Sequence, residues 1–279
     1  METEIIKSLK NENYHDFIIM QQSGKGIVMK ALNEENKLVL LKTFYKNEEL
    51  DTFMIETKFN ICIPKELFFL EKLSQYKYVP KLLNFHDEYY WSTVVMEYLG
   101  GDWMNLMQYL KRCCDDKSIK TIMRNLISIV YQMSEIGYYH RDIKPENIMV
   151  NRVTLEVKLI DLEDLFYSEY DIPICDSTLG TIGFQSPEIF SGVPYNLKQN
   201  LVFNIGCVAY FCNEFRFPFD SIFETLNCSL PKFYQISSEQ ARSFITDCIK
   251  IYPKERLRFD DLLSHNWLVD NKIKVVLTK

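Results

Sequence analysis

The chain has 279 residues, 47% of them hydrophobic and 25% charged, with a net charge of −6, which suits one soluble-type domain with a substantial core. An acidic balance argues against nucleic acid or an anionic membrane as partner and favours basic peptides. No apolar run reaches the roughly 18 residues of a spanning helix, Met1 to Asn13 is too polar for a signal peptide, and eight Cys without a C-x-x-C pair and four scattered His build neither a disulfide framework nor a zinc site. Reduced, mostly buried thiols place the chain in the cytosol or nucleus. Its wealth of Asn, Ile, Lys, Phe and Tyr, all served by AT-rich codons, points to an AT-rich genome such as that of a virus or protist.

In chain order, Tyr14 to Met20 and Gly26 to Leu32 read as strands around the turn Gln21-Gln22-Ser23-Gly24-Lys25. Lys37 to Tyr45 is a third strand, ending in the apolar run Val39-Leu40-Leu41 and then Lys42. Asn47 to Asn60 is polar and predicts a long loop. Pro64 then opens a helix, with Glu66, Leu70 and Leu73 at helical spacing. Lys81 to Phe85 and Ser92 to Glu97 read as two more strands, and helical pattern dominates from Met104 onward. There is no internal repeat or linker.

A helical run from Ser118 to Gly137 leads into Tyr139-His140-Arg141-Asp142-Ile143-Lys144-Pro145-Glu146-Asn147-Ile148-Met149-Val150. This stretch sets a carboxylate, an ammonium and a side-chain amide at offsets of zero, two and five. A strand-like pair, Asn147 to Val150 and Val157 to Ile160, then leads to a second acid, Asp161. Such a grouping suits phosphoryl transfer, in which catalysis is mostly positioning and charge neutralisation. Asp142 would accept the proton of an attacking hydroxyl, Lys144 would meet the negative charge of the moving phosphoryl group, and Asn147 and Asp161 offer the oxygen ligands that Mg²⁺ prefers.

The twelve residues resemble the catalytic loop of eukaryotic protein kinases, and Lys144 resembles the Ser/Thr branch. That resemblance implies an α+β, two-lobed fold over residues 14–270. The smaller lobe, 14–97, would be an antiparallel sheet with one helix, and the larger lobe, 98–270, mainly helical. It also implies ATP and Mg²⁺ as cofactors, with Mn²⁺ as an alternative metal, and protein substrates for a monomeric enzyme. In the glycine-rich loop Gly26 and Val28 match the family, Gln21 and Ser23 replace its first two glycines, and Gly24 stands one place late. Lys42 falls at the phosphate-binding lysine and Glu66, rather than Glu71, at its helix partner. Leu40 replaces the small residue that roofs adenine. Met96 falls at the gatekeeper, with the Glu97 carbonyl and Leu99 N–H facing the adenine edge and Met149 in the same nucleotide set. By the same resemblance Asp102 is expected to bind ribose or a basic residue of the substrate.

Lys158-Leu159-Ile160-Asp161-Leu162-Glu163 stands where the family has D-F-G, and Glu163 in place of glycine is the largest departure. Thr178 to Glu188 resembles the close of an activation segment. Thr181 is there expected to touch Asp142 and Lys144, and Glu188 to pair with Arg256 in a buried structural ion pair. Arg141 is the type of residue that grips a phosphate on this segment, with Ser177 and Thr178 as candidate acceptors. Leu201 replaces the Asp that anchors the catalytic loop, a trait shared with Pim-type kinases of the calmodulin-kinase-like group, as are the Ile63-Pro64-Lys65-Glu66 entry and the Arg256 to Asp261 run. Glu146, together with Asp102, implies a preference for Arg or Lys upstream of the phosphoacceptor. Asp115 and Asp116 read as a solvated acidic turn or a further part of that rim. Two functions therefore stand open. Intact phosphate- and metal-facing charges favour an active kinase; Glu163, Gln21, Ser23 and Leu201 favour a pseudokinase that binds nucleotide or protein without turnover.

Overall fold

A computed structural model describes residues 1–46, 54–56, 62–112, 115–170, 173–174, 181–227, 232–234 and 238–269. The chain forms two compact units, one of Met1–Trp103 with Lys158–Glu163, the other of Met104–Val157 with the residues from Asp164 onward.

The first unit is built on a five-stranded antiparallel sheet in the order β1-β2-β3-β7-β6, with β1 His15–Ser23, β2 Gly26–Leu32, β3 Leu38–Tyr45, β6 Leu82–Asp87 and β7 Trp91–Glu97. Strand register sorts its side chains. Val28 pairs with Lys42 and Lys42 with Val94, while Leu40 pairs with Met96. With a side-chain period of two, Val28, Leu40, Lys42 and Met96 share one face. The other face carries Ile27, Met29, Ala31, Val39, Leu41 and Val95, and it is covered by helix α1, Glu2–Asn11.

The sequence reading starts the domain at Tyr14 and assigns no structure to the polar stretch before it, which α1 fills. Ile5 and Leu9, four residues apart, lie on one face of α1 and are fully buried against those sheet residues. Acids in the first turn and Lys10 in the last suit the helix dipole. Polar ties fix the docking: Ser8 donates to Glu88 at 2.7 Å, His86 Nε2 lies 3.2 Å from the Tyr14 hydroxyl, and the two rings meet edge to face.

The predicted 47–60 loop is also partly overturned. Met54–Glu56 forms β4 and pairs with β5, Cys62–Pro64; the rest of that stretch lies outside the described residues. Helix α2, Lys65–Lys72, follows with Pro64 at its cap, and it buries Glu66, Leu67, Phe69 and Leu70. Gly26 is required where β2 begins, because a Cβ there would lie 1.8 Å from the Thr43 carbonyl oxygen of β3. Its role is close strand packing.

The second unit is mainly helical. Helix α4, Asp116–Glu135, is capped by Asp115, which accepts from the Ser118 N–H at 2.9 Å, and Asp116 pairs with Lys120 at 2.7 Å. These acids thus serve the helix end. Helix α6, Leu197–Glu214, is buried on nearly every side and packs against α8, Glu239–Cys248; at Gly206 a Cβ would come within 2.6 Å of the Cys248 Cβ. Two short strands, β9 Tyr138–Tyr139 and β12 Phe166–Tyr167, pair to flank the loop between α4 and β10, Ile148–Asn151.

Candidate functional site

Each unit carries a polar grouping that includes residues singled out from the sequence. In the second unit, the loop after β9 turns sharply at Arg141, whose φ of 62° is in the left-handed region. Two contacts hold that conformation: Arg141 Nε donates to the Asp164 carbonyl at 2.7 Å, and Gln185 Nε2 donates to the Arg141 carbonyl at 2.7 Å. Asp142 follows, buried, and its partners among the described residues are ones the sequence singled out. Thr181 Oγ1 donates to its Oδ1 at 2.8 Å, Lys144 Nζ lies 2.6 Å from its Oδ2, and Asn147 Nδ2 donates to Oδ2 and to the Asp142 carbonyl at 3.0 Å. Lys144 Nζ also donates to Thr181 Oγ1 at 2.8 Å. The result is a carboxylate of fixed orientation beside an ammonium. The Asn147 Nδ2 is spent on Asp142, so its Oδ1 is the atom of that side chain suited to a hard cation.

Glu146 lies in the same turn, and its buried Oε2 has no hydrogen-bond partner among the described residues. A carboxylate oxygen so placed invites a cation. Met149 is buried in β10.

In the first unit the grouping is centred on Lys42. Its Nζ lies 2.5 Å from Glu66 Oε2, 2.8 Å from Asp161 Oδ1 and 2.6 Å from Glu163 Oε1. Burial alone would depress the ammonium, but the three carboxylates more than offset it and hold Lys42 well above its ordinary value. Glu66 is pushed by burial up to about 7; Lys42 opposes the rise, and Asp161 and Glu163 add to it. The two shifts share one cause, a buried cluster in which the ammonium is favoured by its acids and the deepest acid is disfavoured as a carboxylate by burial. Asp161 sits at φ 65°, while Glu163 does not take the left-handed backbone that only a glycine would favour. The departure at that position is therefore one of charge and bulk, tolerated by the backbone.

The segment holding these acids is tied down within the unit. Leu159 N–H donates to the Tyr78 carbonyl at 2.8 Å, and Lys158 pairs with Glu97, whose Oε1 also accepts from the Lys81 N–H. Met96 is buried between Leu40 and Leu82 on the neighbouring strands, and Leu99 is half-buried beyond the end of β7. Nothing lies near the position a Cβ would take at Gly24. Asp102 is exposed.

Away from these groups, Arg256 meets Glu188 through two bonds, at 2.6 and 2.7 Å, with both side chains buried. The sequence reading missed the polar residues that hold the 184–188 segment: Asn204 donates to the Phe184 carbonyl, Ser186 to Asn200 at 2.8 Å, and Gln185 to Arg141 as above. Leu201, at the site of the family's anchoring Asp, is buried and apolar. Buried Asn and Gln in α6 and beside S-P-E were the available signal. Ser177 and Thr178 lie outside the described residues.

The protein kinase domain family matches residues 17–268. This chain belongs to the protein kinase family. Among curated kinases it is 28% identical over 276 residues to the serine/threonine-protein kinase PSK1 of Saccharomyces cerevisiae, covering 92% of this chain and 20% of that protein. It is 26% identical over 247 residues to the PAS domain-containing serine/threonine-protein kinase of Mus musculus, covering 87% and 17%. It is also 29% identical over 205 residues to serine/threonine-protein kinase 1 of African swine fever virus, covering 72% and 67%. The kinase chain thus spans about a fifth of the yeast and mouse relatives, and two thirds of the viral one. Kinases of this family use ATP and Mg²⁺, and the donors present fit both. Lys42 offers an ammonium for phosphate, and Asp161, with its side chain 40% exposed, offers hard oxygen. No helix among the described residues of this kinase is long and apolar enough to cross a membrane.

Proposed function

We propose that the chain is an active serine/threonine protein kinase that transfers the γ-phosphate of ATP to proteins, with Arg or Lys preferred upstream of the acceptor. The observation that carries this reading is the Asp142 carboxylate, held by Thr181, Lys144 and Asn147 in one orientation. A carboxylate so fixed orients an attacking hydroxyl and takes its proton, while Lys144 sets positive charge beside it. Bound MgATP supplies the transferable phosphoryl group and the cationic charge on its oxygens. Asn147 and Asp161 would hold the metal and Lys42, aligned by Glu66, the phosphates. Gly24, Gly26, Val28, Met96, the Glu97 carbonyl, the Leu99 N–H and Met149 would bound the nucleotide. Glu146, with its unpartnered buried oxygen, and Asp102 would receive basic side chains, Arg above Lys where a two-bond fork fits.

The pattern around Leu201 and Arg256 supports a Pim-type subgroup. We read the protein as a monomer of the cytosol or nucleus. One observation favours the pseudokinase reading instead, the Glu163 carboxylate on Lys42. Radiolabelled ATP turnover on a peptide library separates the two. The active reading expects Ser/Thr labelling that drops at least about 10²-fold in Asp142→Asn, and a basic preference weakened in Glu146→Gln. Equal labelling by wild type and Asp142→Asn removes it.

A further inference from the structure

An ammonium has three N–H donors, and the protein's own acids occupy the surroundings of Lys42 with three carboxylates at 2.5, 2.6 and 2.8 Å. The three are not equivalent. Glu66 is 3% exposed and fixed on a buried helix, and Asp161 belongs to the pattern shared with the family. Glu163 is the addition. A glycine at its position would leave that side of Lys42 open; here Glu163 Oε1 stands 2.6 Å from Nζ as an ion-pair partner, while the ammonium donates its hydrogen bond to Asp161 Oδ1. The Phe44 ring, 5.4 Å from Nζ, closes another side without offering a hydrogen bond. A phosphate oxygen approaching Lys42 must therefore displace a carboxylate from it, and meets like charge until it does.

Resting on the kinase reading, we propose that Glu163 is a specificity-determining residue of the phosphate subsite. Its carboxylate occupies the side of Lys42 that a nucleotide phosphate needs, so that the chain admits the polyphosphate only in company with a divalent cation. Such a cation is a hard acid that offers Glu163 and Asp161 a partner other than Lys42. Free polyphosphate brings only negative charge to a locus that already holds three carboxylates against one ammonium. Specificity of this kind rests on a repulsive element, removed by a single substitution.

The experiment is calorimetric binding of ATP, with adenosine as the phosphate-free control, to wild type, Glu163→Gln and Glu163→Gly, each in EDTA and in Mg²⁺. Glu163→Gln keeps the side-chain volume and Glu163→Gly restores the family residue, so the two fail to fold for different reasons. In EDTA the wild type is expected to bind ATP no more tightly than adenosine. Both variants should gain about tenfold for ATP in EDTA, the gain expected when one like charge is removed from the subsite, and should hold adenosine as the wild type does. In Mg²⁺ the gain should shrink. Unchanged ATP affinity in EDTA overturns the proposal, as does an equal gain with and without Mg²⁺, since the cation would then not relieve the acid. Failure of the nucleotide-binding part of the kinase reading looks different: wild type and variants alike would bind neither ATP nor adenosine even in Mg²⁺, and the proposal would fall with it.

Discussion

Replacing Arg256 by Met removes the partner of a buried carboxylate. Arg256 is fully buried and Glu188 nearly so, and besides the two bonds to Glu188 the guanidinium donates to the carbonyls of Lys250 at 2.9 Å and Gln199 at 3.0 Å. It also lies 4.9 Å above the Phe203 ring. Met fills much of the volume and keeps the contact with Phe203, so the cost is mainly electrostatic. A stranded buried charge costs about 3–5 kcal/mol. At about 2–4 °C per kcal/mol for a unit of this size, the melting temperature should fall by roughly 6–20 °C. Glu188→Leu alone strands the guanidinium and should cost a similar amount. The double variant, Glu188→Leu with Arg256→Met, leaves no charge to strand and should be more stable than the sum of the two losses by at least about 2 kcal/mol. Calorimetric melts of the four proteins measure this cycle. Additive losses, or a loss below about 1 kcal/mol for Arg256→Met, would refute the view that the pair acts as a buried unit.

Leu9→Ala removes a fully buried side chain between α1 and the sheet and should cost about 2–5 kcal/mol in urea unfolding; a loss under about 1 kcal/mol would mean that α1 is not docked. Burial holds the His86 imidazole below its ordinary value, with Glu12 and Glu88 opposing. The neutral ring is thus favoured in the fold, and its contribution is complete above about pH 6.5 and lost as pH falls through the lowered value. Melts of wild type and His86→Gln should accordingly converge as pH drops from 7 to 5, and parallel profiles would contradict the assignment. Arg141 is engaged by the Asp164 carbonyl and lies 4.9 Å over the Phe166 ring, so labelling activity should survive phosphatase treatment, with Ser177→Ala and Thr178→Ala as active as wild type. Silencing by phosphatase would show that Arg141 needs a phosphate after all.

What the sequence alone determined is what lies close along the chain. The offsets from Asp142 to Lys144 and Asn147 are those of one turn, and period-two alternation placed β2, β3 and β7 to within a residue or two. Thr181, Glu66 and Arg256 could be named only because their surroundings resemble a known family. The tertiary structure decided the rest, for one physical reason: a contact between distant residues is set by packing, and packing leaves no local period. Met1 to Asn13 looked merely polar because two apolar residues suffice for a helix whose other half of the core lies on β2, β3 and β7. In the sequence Glu163 reads both as a loss of backbone freedom and as a bulky negative charge near the metals. Its backbone is ordinary, and its consequence lies with Lys42, 121 positions earlier, where strand register and the tie of Leu159 to Tyr78 bring the two charges to 2.6 Å.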